Sequence, residues 1–166
     1  MYYFEILAGL FKKKVRYLII GGLGVNLYGV PRVTQDIDLI ISMDRQNIIG
    51  LIALMKELGF EPRLPADPEK LADPIEVKDW IENRNMKAFS FIHREDAFKV
   101  VDIVLVHPLD FEKAFEHRTV KRVQGSEINL ASIEDLITCK RFSGRPQDLS
   151  DVVLLQKAKR FMAEGT

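Results

Sequence analysis

The stretch Tyr17-Leu18-Ile19-Ile20-Gly21-Gly22, with Thr34-Gln35-Asp36-Ile37-Asp38-Leu39-Ile40-Ile41 after it, decides how this chain is read. An apolar, β-favouring run ends on two glycines, and a second such run carries two aspartates two residues apart. Side chains alternate faces along an extended strand. The Asp36 and Asp38 carboxylates therefore leave one side, while Ile37, Leu39 and Ile41 leave the other, toward a core. Two carboxylates so placed repel and titrate abnormally unless a cation lies between them. Oxygen-seeking Mg²⁺ is the natural counter-ion, with Mn²⁺ as a substitute. Gly21 and Gly22 stand where a strand gives way to a helix, so the backbone can approach a ligand closely and its free amides suit a phosphate. A double glycine alone is often just a tight turn. Joined to Asp-x-Asp on the next strand, it points to metal-dependent phosphoryl chemistry.

Outward from this stretch, the hydrophobic spacing predicts a first helix over 2–14, with Phe4, Leu7, Leu10 and Phe11 on one face. A buried strand over 15–20 and a short helix ended by Pro31 come next, then a strand over 33–41. Residues 45–58 form a helix with Ile48, Ile49, Ile52, Leu54 and Met55 as its apolar positions and Gly59 beyond its end. Pro62, Pro65, Pro68 and Pro74 mark a loop with at most short helical turns, and 75–84 is helical. Segments 86–93 and 98–106 read as an antiparallel pair, 110–116 as a short helix, and 119–124 with 127–130 as a hairpin. Two helices close the chain, 132–142, capped by Ser132, and 148–162. This order gives an α/β (α+β) fold, a small mixed β-sheet covered by helices. Residues 1–130 make the core, and 131–166 a helical extension packed on it, in one domain overall.

The 166 residues carry 24 basic and 24 acidic side chains, so no global field marks a nucleic-acid binder. The short basic runs at 12–16 and 118–122 read as a helix C-terminus and a solvated strand edge. Cys139 is the only cysteine, which excludes an internal disulfide and makes it a small core residue. No apolar run approaches a membrane span and no signal-peptide pattern opens the chain, so a cytoplasmic location is expected. The spacing of His93, His107 and His117 does not suit zinc. Trp80 is expected to pack the proline-rich loop region, and Tyr28 to take a core position. There is no P-loop and no nucleophile elbow.

Asp102 is a lone acid within the apolar run Phe98-Lys99-Val100-Val101-Asp102-Ile103-Val104-Leu105-Val106. An unpaired charge there is costly to bury, and a metal shared with Asp36 and Asp38 would supply the partner. The plainer alternative is an acid at a strand edge, or one paired with an arginine such as Arg32.

With these residues in place, the chain resembles the nucleotidyltransferase superfamily of the DNA polymerase β-type fold. Gly21-Gly22, Asp36-Ile37-Asp38 and Asp102 carry the likeness. Arg32-Val33-Thr34-Gln35-Asp36-Ile37-Asp38 looks like the Arg-x-Thr-x-Asp-x-Asp signature of the small prokaryotic minimal and toxin-related members. Ser132-Ile133-Glu134-Asp135-Leu136-Ile137-Thr138-Cys139-Lys140 and Gly144-Arg145-Pro146-Gln147-Asp148-Leu149-Ser150-Asp151 are similar to that group's final helical pair.

The resemblance implies transfer of a nucleoside monophosphate from an NTP to a hydroxyl on RNA, protein or a small molecule. Asp36 and Asp38 would hold two divalent cations, and Asp102 would ligate the metal beside the attacking hydroxyl. Gly21 and Gly22 amides would cradle phosphates, Arg32 would clamp one, and Thr34 would orient a metal ligand or cap a turn. Lys140, Arg145 and Asp148 would face the cleft from the helical end, although Arg145-Pro146-Gln147-Asp148 also makes a plain inter-helix turn with Asp148 as N-cap. The segment from Pro62 to Arg84 is an insertion placed to shape the acceptor site. Two further readings remain open. One is a catalytically silent member of the fold, serving as a nucleotide-binding or toxin–antitoxin interaction module with an antitoxin-like partner, and the other is a metal-dependent phosphohydrolase.

Overall fold

Period-two alternation on the strands and helical spacing between them build one seven-stranded mixed sheet with helices on both faces; the computed structural model describes residues 2–165. The strands are β1 (Tyr17–Ile20), β2 (Ile37–Ile41), β3 (Phe60–Pro62), β4 (Ala88–His93), β5 (Val100–Val104), β6 (Thr119–Val123) and β7 (Ser126–Leu130). They lie in the order β3-β4-β5-β2-β1-β7-β6. β1 runs antiparallel to β2, and β2 parallel to β5. The helices are α1 (Tyr2–Lys12), α2 (Gly21–Leu27), α3 (Arg45–Glu57), α4 (Pro74–Arg84), α5 (Phe111–Glu116), α6 (Ile133–Ser143) and α7 (Pro146–Glu164).

Alternation divides the core in two. Tyr17, Ile19, Ile37, Leu39, Ile41, Val101 and Ile103 face one way, where they pack with Ile6, Leu7 and Leu10 of α1 and Ile48, Leu51, Ile52 and Met55 of α3. Leu18, Ile20 and Ile40 face the other, against Val25 of α2, Leu136 and Ile137 of α6, and Val152 and Leu155 of α7. Asp38 and Asp102, alternating with the first set, belong to this second face.

Several boundaries differ from the sequence reading. The second strand begins at Ile37 rather than residue 33, because the backbone from Arg32 to Asp36 follows a loop tied to α1. Tyr3 Oη donates to the carbonyls of Thr34 and Gln35, each at 2.9 Å, and Tyr2 Oη donates to that of Gln35. α1 buries Ile6 with Leu7 and Leu10, leaving Phe11 exposed, and α3 turns Ile49 to solvent. β3 is a short edge strand inside the proline-rich region. α7 begins at Pro146 with Arg145 as its N-cap, so Asp148 is the third helical residue and not the cap. The bond from the Arg145 amide to the Asp148 carboxylate explains why the segment looked like a cap one turn late. Trp80 is buried against Phe89, and Cys139 is a core thiol whose burial pushes its pKa up to about 12. Tyr28 is half-buried, its hydroxyl donating to the Ala131 carbonyl at 2.6 Å.

Candidate active site

The register of three neighbouring strands gathers the site. Asp38 lies opposite Ile20 on one side and Asp102 on the other. Strand β1 thus ends level with Asp38, and the first residue beyond it, Gly21, meets that carboxylate directly. Gly21 has φ +66°, and a Cβ built there would stand 2.0 Å from Asp38 Oδ2. Only glycine tolerates both the conformation and the approach. Gly22 is closed in from the other direction, since a Cβ would lie 2.7 Å from Thr34 Oγ1 and 3.1 Å from Arg32 Nη1. The two glycines let the loop before Asp36 fold over the start of α2.

Asp36 lies one residue before β2, yet its charge acts on both other acids. Burial, reinforced by repulsion from Asp102 and Asp36, pushes the Asp38 carboxyl up to about 6 against the pull of Lys140 and Arg145. Burial also raises Asp102, opposed by the Ser90 hydroxyl that donates to its Oδ1. Three hard oxygen donors, of which Asp38 and Asp102 are destabilised by burial and by neighbouring negative charge, suit a divalent cation. Among the described residues, no three acidic, histidine or cysteine side chains close on a point as a finished cage. Mg²⁺ ordinarily takes one or two carboxylates and fills its remaining positions with water and phosphate oxygens.

A cleft of about 520 Å³ opens beside Asp38, lined by Gly21, Lys87, Ala88, Lys140, Arg145 and Asp148 among others. Lys140, only 4% exposed, lies 3.2 Å from Asp148 Oδ1 and 3.0 Å from Asp151 Oδ2. Arg145 Nε donates to Asp148 at 2.8 Å. Burial pushes Asp148 up, but its hydrogen bonds from Arg145 and Lys140 outweigh that and hold it below the usual carboxylate range. These three predicted residues therefore share the cleft wall with Gly21 and Asp38. Arg32 pairs with neither Asp102 nor the cleft acids. Its Nη1 sits 2.9 Å from Asp151 Oδ2, a charge contact without hydrogen-bond alignment. Thr34 Oγ1 donates weakly to the Asp36 carbonyl at 3.4 Å.

Sequence reading missed Ser90, Asp151 and Lys87. Ser90 carries no local signal; it becomes visible only once the β4–β5 register sets it opposite Asp102. Asp151 had one, because positions 148, 151, 152 and 155 form the buried stripe of α7.

Solved structures with this architecture bear on the assignment. The chain resembles a lincosamide antibiotic adenylyltransferase, LnuA, bound to lincomycin, with TM-score 0.58 and 20% identity over 94% of this chain and 95% of that one. It also resembles ANT(2")-Ia in complex with adenylyl-2"-tobramycin, with TM-score 0.54 and 14% identity over 98% of this chain and 94% of that one. At these identities the likeness establishes the fold. No curated protein matches the chain. Residues 5–159 match the family described as "Nucleotidyltransferase of unknown function (DUF6036)", and the chain, carrying its acids abreast in this fold, belongs to that nucleotidyltransferase family.

Proposed function

We propose that the protein transfers a nucleoside monophosphate from an NTP to a hydroxyl of a small molecule, with Mg²⁺ as cofactor. The observation that carries this reading is the register that sets Asp38 beside Asp102 while Gly21 brings bare backbone against Asp38. In the reaction, a bond forms between the acceptor oxygen and the α-phosphorus. The bond from that phosphorus to the bridging oxygen breaks, and pyrophosphate leaves with the electron pair.

Asp36, Asp38 and Asp102 would hold Mg²⁺, which when bound neutralises the triphosphate and the charge on the leaving pyrophosphate. Asp102, level with Asp38 and oriented by Ser90, takes the proton of the acceptor hydroxyl. The Gly21 and Gly22 backbone approaches the phosphates. Lys140 and Arg145 supply positive charge in the same cleft, with Asp148 fixing both. Arg32, engaged by Asp151, holds the loop before Asp36 instead of clamping phosphate. The two adenylyltransferase structures, described with lincomycin and with an adenylylated tobramycin, support a small molecule as the acceptor.

The test is label transfer. Purified protein is incubated with Mg²⁺, each α-labelled NTP in turn and a cell extract resolved into small-molecule, RNA and protein fractions. Label in the small-molecule fraction that disappears with Asp36→Asn/Asp38→Asn is the expected result. Label only on RNA or protein overturns the acceptor class. Tight metal-dependent NTP binding with no transfer favours the silent module, and phosphate release without labelling favours the hydrolase.

A further inference from the structure

The edge of the sheet beside Asp102 is incomplete. β3 pairs only with Phe91, Ile92 and His93 of β4, and after a last backbone bond from the Arg63 amide to the Ser90 carbonyl at 2.9 Å the chain departs. The β4 edge at Ala88 and Phe89 is left without a strand. What remains is a notch of about 180 Å³ lined by Arg63, Leu64, Met86, Ala88, Phe89 and Ser90.

Its position and charge are both informative. β4 lies on the far side of β5 from β2, so the notch flanks Asp102 from the side opposite Asp38 and Gly21. Ser90 links the two, lining the notch and donating to Asp102. Ala88 lines both the notch and the larger cleft, so the spaces adjoin.

The cations near the acids differ in their engagement. Arg32, Lys140 and Arg145 each meet a carboxylate of α7. Among the described residues, neither Arg63 nor Lys87 has an ion-pair partner within 4.0 Å. Arg63 does act on Asp102, attracting where Asp36 repels. An unpaired guanidinium that lines the notch together with Leu64 and Met86 recognises planar or tetrahedral oxyanions. The volume also decides something, since drug-sized ligands occupy sites of about 300–1,000 Å³.

We propose that this notch is the acceptor subsite, and that the acceptor is a small hydroxylated anion whose carboxylate or phosphate pairs with Arg63 while its hydroxyl reaches Asp102. The proposal rests on the nucleotidyl-transfer reading above. It separates this chain from a polycation-modifying enzyme, because a polyamine acceptor entering the notch meets Arg63, with Lys87 in the adjoining cleft.

Glycerol 3-phosphate, glycerate and tobramycin are offered separately to the full-length protein with Mg²⁺ and α-labelled ATP, and ATP binding is followed by calorimetry. Label on glycerol 3-phosphate or glycerate, and none on tobramycin, is the expected outcome; which of the two anions is labelled distinguishes phosphate from carboxylate. Arg63→Ala should raise the KM for that anion about tenfold or more, Arg63→Lys should recover part of the loss, and ATP affinity should hold in both. Transfer to tobramycin alone, or an unchanged acceptor KM in Arg63→Ala, overturns the proposal. Metal-dependent ATP binding without transfer to either anion overturns it too, leaving nucleotidyl transfer to another acceptor intact. Absence of metal-dependent binding of any of the four NTPs removes the underlying reading itself.

Discussion

Replacing Gly21 by alanine tests the geometry of the site at its tightest point. The residue has φ +66°, and holding a non-glycine residue in the left-handed region costs about 1–2 kcal/mol. The new methyl would stand 2.0 Å from Asp38 Oδ2, 2.7 Å from its Cγ and 2.8 Å from its Cβ. A rotamer change can move the carboxylate oxygen but leaves the Cβ in place. Ordinary carbon–carbon contact is about 3.5–4.0 Å, so β1, β2 or the start of α2 must shift. Forced overpacking of this kind costs about 1–3 kcal/mol, giving about 2–5 kcal/mol in all.

Gly29→Ala is the internal control. It has φ +86° with nothing within 4 Å of an added Cβ, so it should lose only the backbone part. Urea unfolding of the two variants isolates the encounter with Asp38 as their difference, about 1–3 kcal/mol. Calorimetric titration with ATP and Mg²⁺ reads the functional side, where Gly21→Ala should lose most of its affinity and Gly29→Ala should keep it. Equal destabilisation of both variants, or wild-type ATP affinity in Gly21→Ala, would refute the placement of Asp38 against the glycine turn and its part in binding.

Asp38 makes a second expectation about pH. Its folded-state pKa is raised from the model-peptide 3.8 to about 6, so between these values the folded chain binds the proton more tightly, and stability falls as pH rises through that window. Asp38→Asn should therefore stabilise the metal-free protein at pH 8 by about 2–3 kcal/mol and by little at pH 4, as read from urea midpoints; destabilisation at pH 8 would contradict the burial and repulsion that raise this carboxyl. In the wild-type protein, Mg²⁺ should raise the melting temperature at pH 7.5 and lose most of that effect near pH 5, where a proton occupies Asp38. Lys140→Met leaves Asp148 and Asp151 buried with less compensating charge, and should cost about 3–5 kcal/mol in urea unfolding; a loss below about 1 kcal/mol would mean that the lysine contributes little there.

The elements that sequence made legible are those whose local pattern and tertiary role agree. Ile37, Leu39 and Ile41 alternate with Asp38 and bury as their period requires, and Asp102 stood out because no other polar residue interrupts its strand. Gly21-Gly22 announced a close backbone approach, and Asp38 is what approaches. The departures arise where pairing depends on distant chain. Residues 33–36 have strand-like composition, but Tyr2 and Tyr3 take the Thr34 and Gln35 carbonyls that a neighbouring strand would have used. β3 is three residues long and contains a proline, too short for periodicity to register. Arg145, not Asp148, caps α7 because Pro146 fits the first helical position.

The helical end carries the instructive failure. Lys140 occupies the same face of α6 as Ile133, Leu136 and Ile137, and Asp148 and Asp151 share theirs on α7 with Val152 and Leu155. Read singly, each helix places charge at a core position, which costs too much to stand alone. Only when the two faces meet do the lysine and the aspartates compensate one another, and Asp151 then reaches across to Arg32. The loop that delivers Asp36 is thus gripped from two sides, by tyrosine hydroxyls of α1 on its carbonyls and by a buried carboxylate of α7 on Arg32. Regular hydrogen bonding does not fix that loop, so tertiary contacts must. The charges that looked like liabilities on isolated helices fasten the least regular segment of the site to α7, while α1 holds it by neutral hydroxyls.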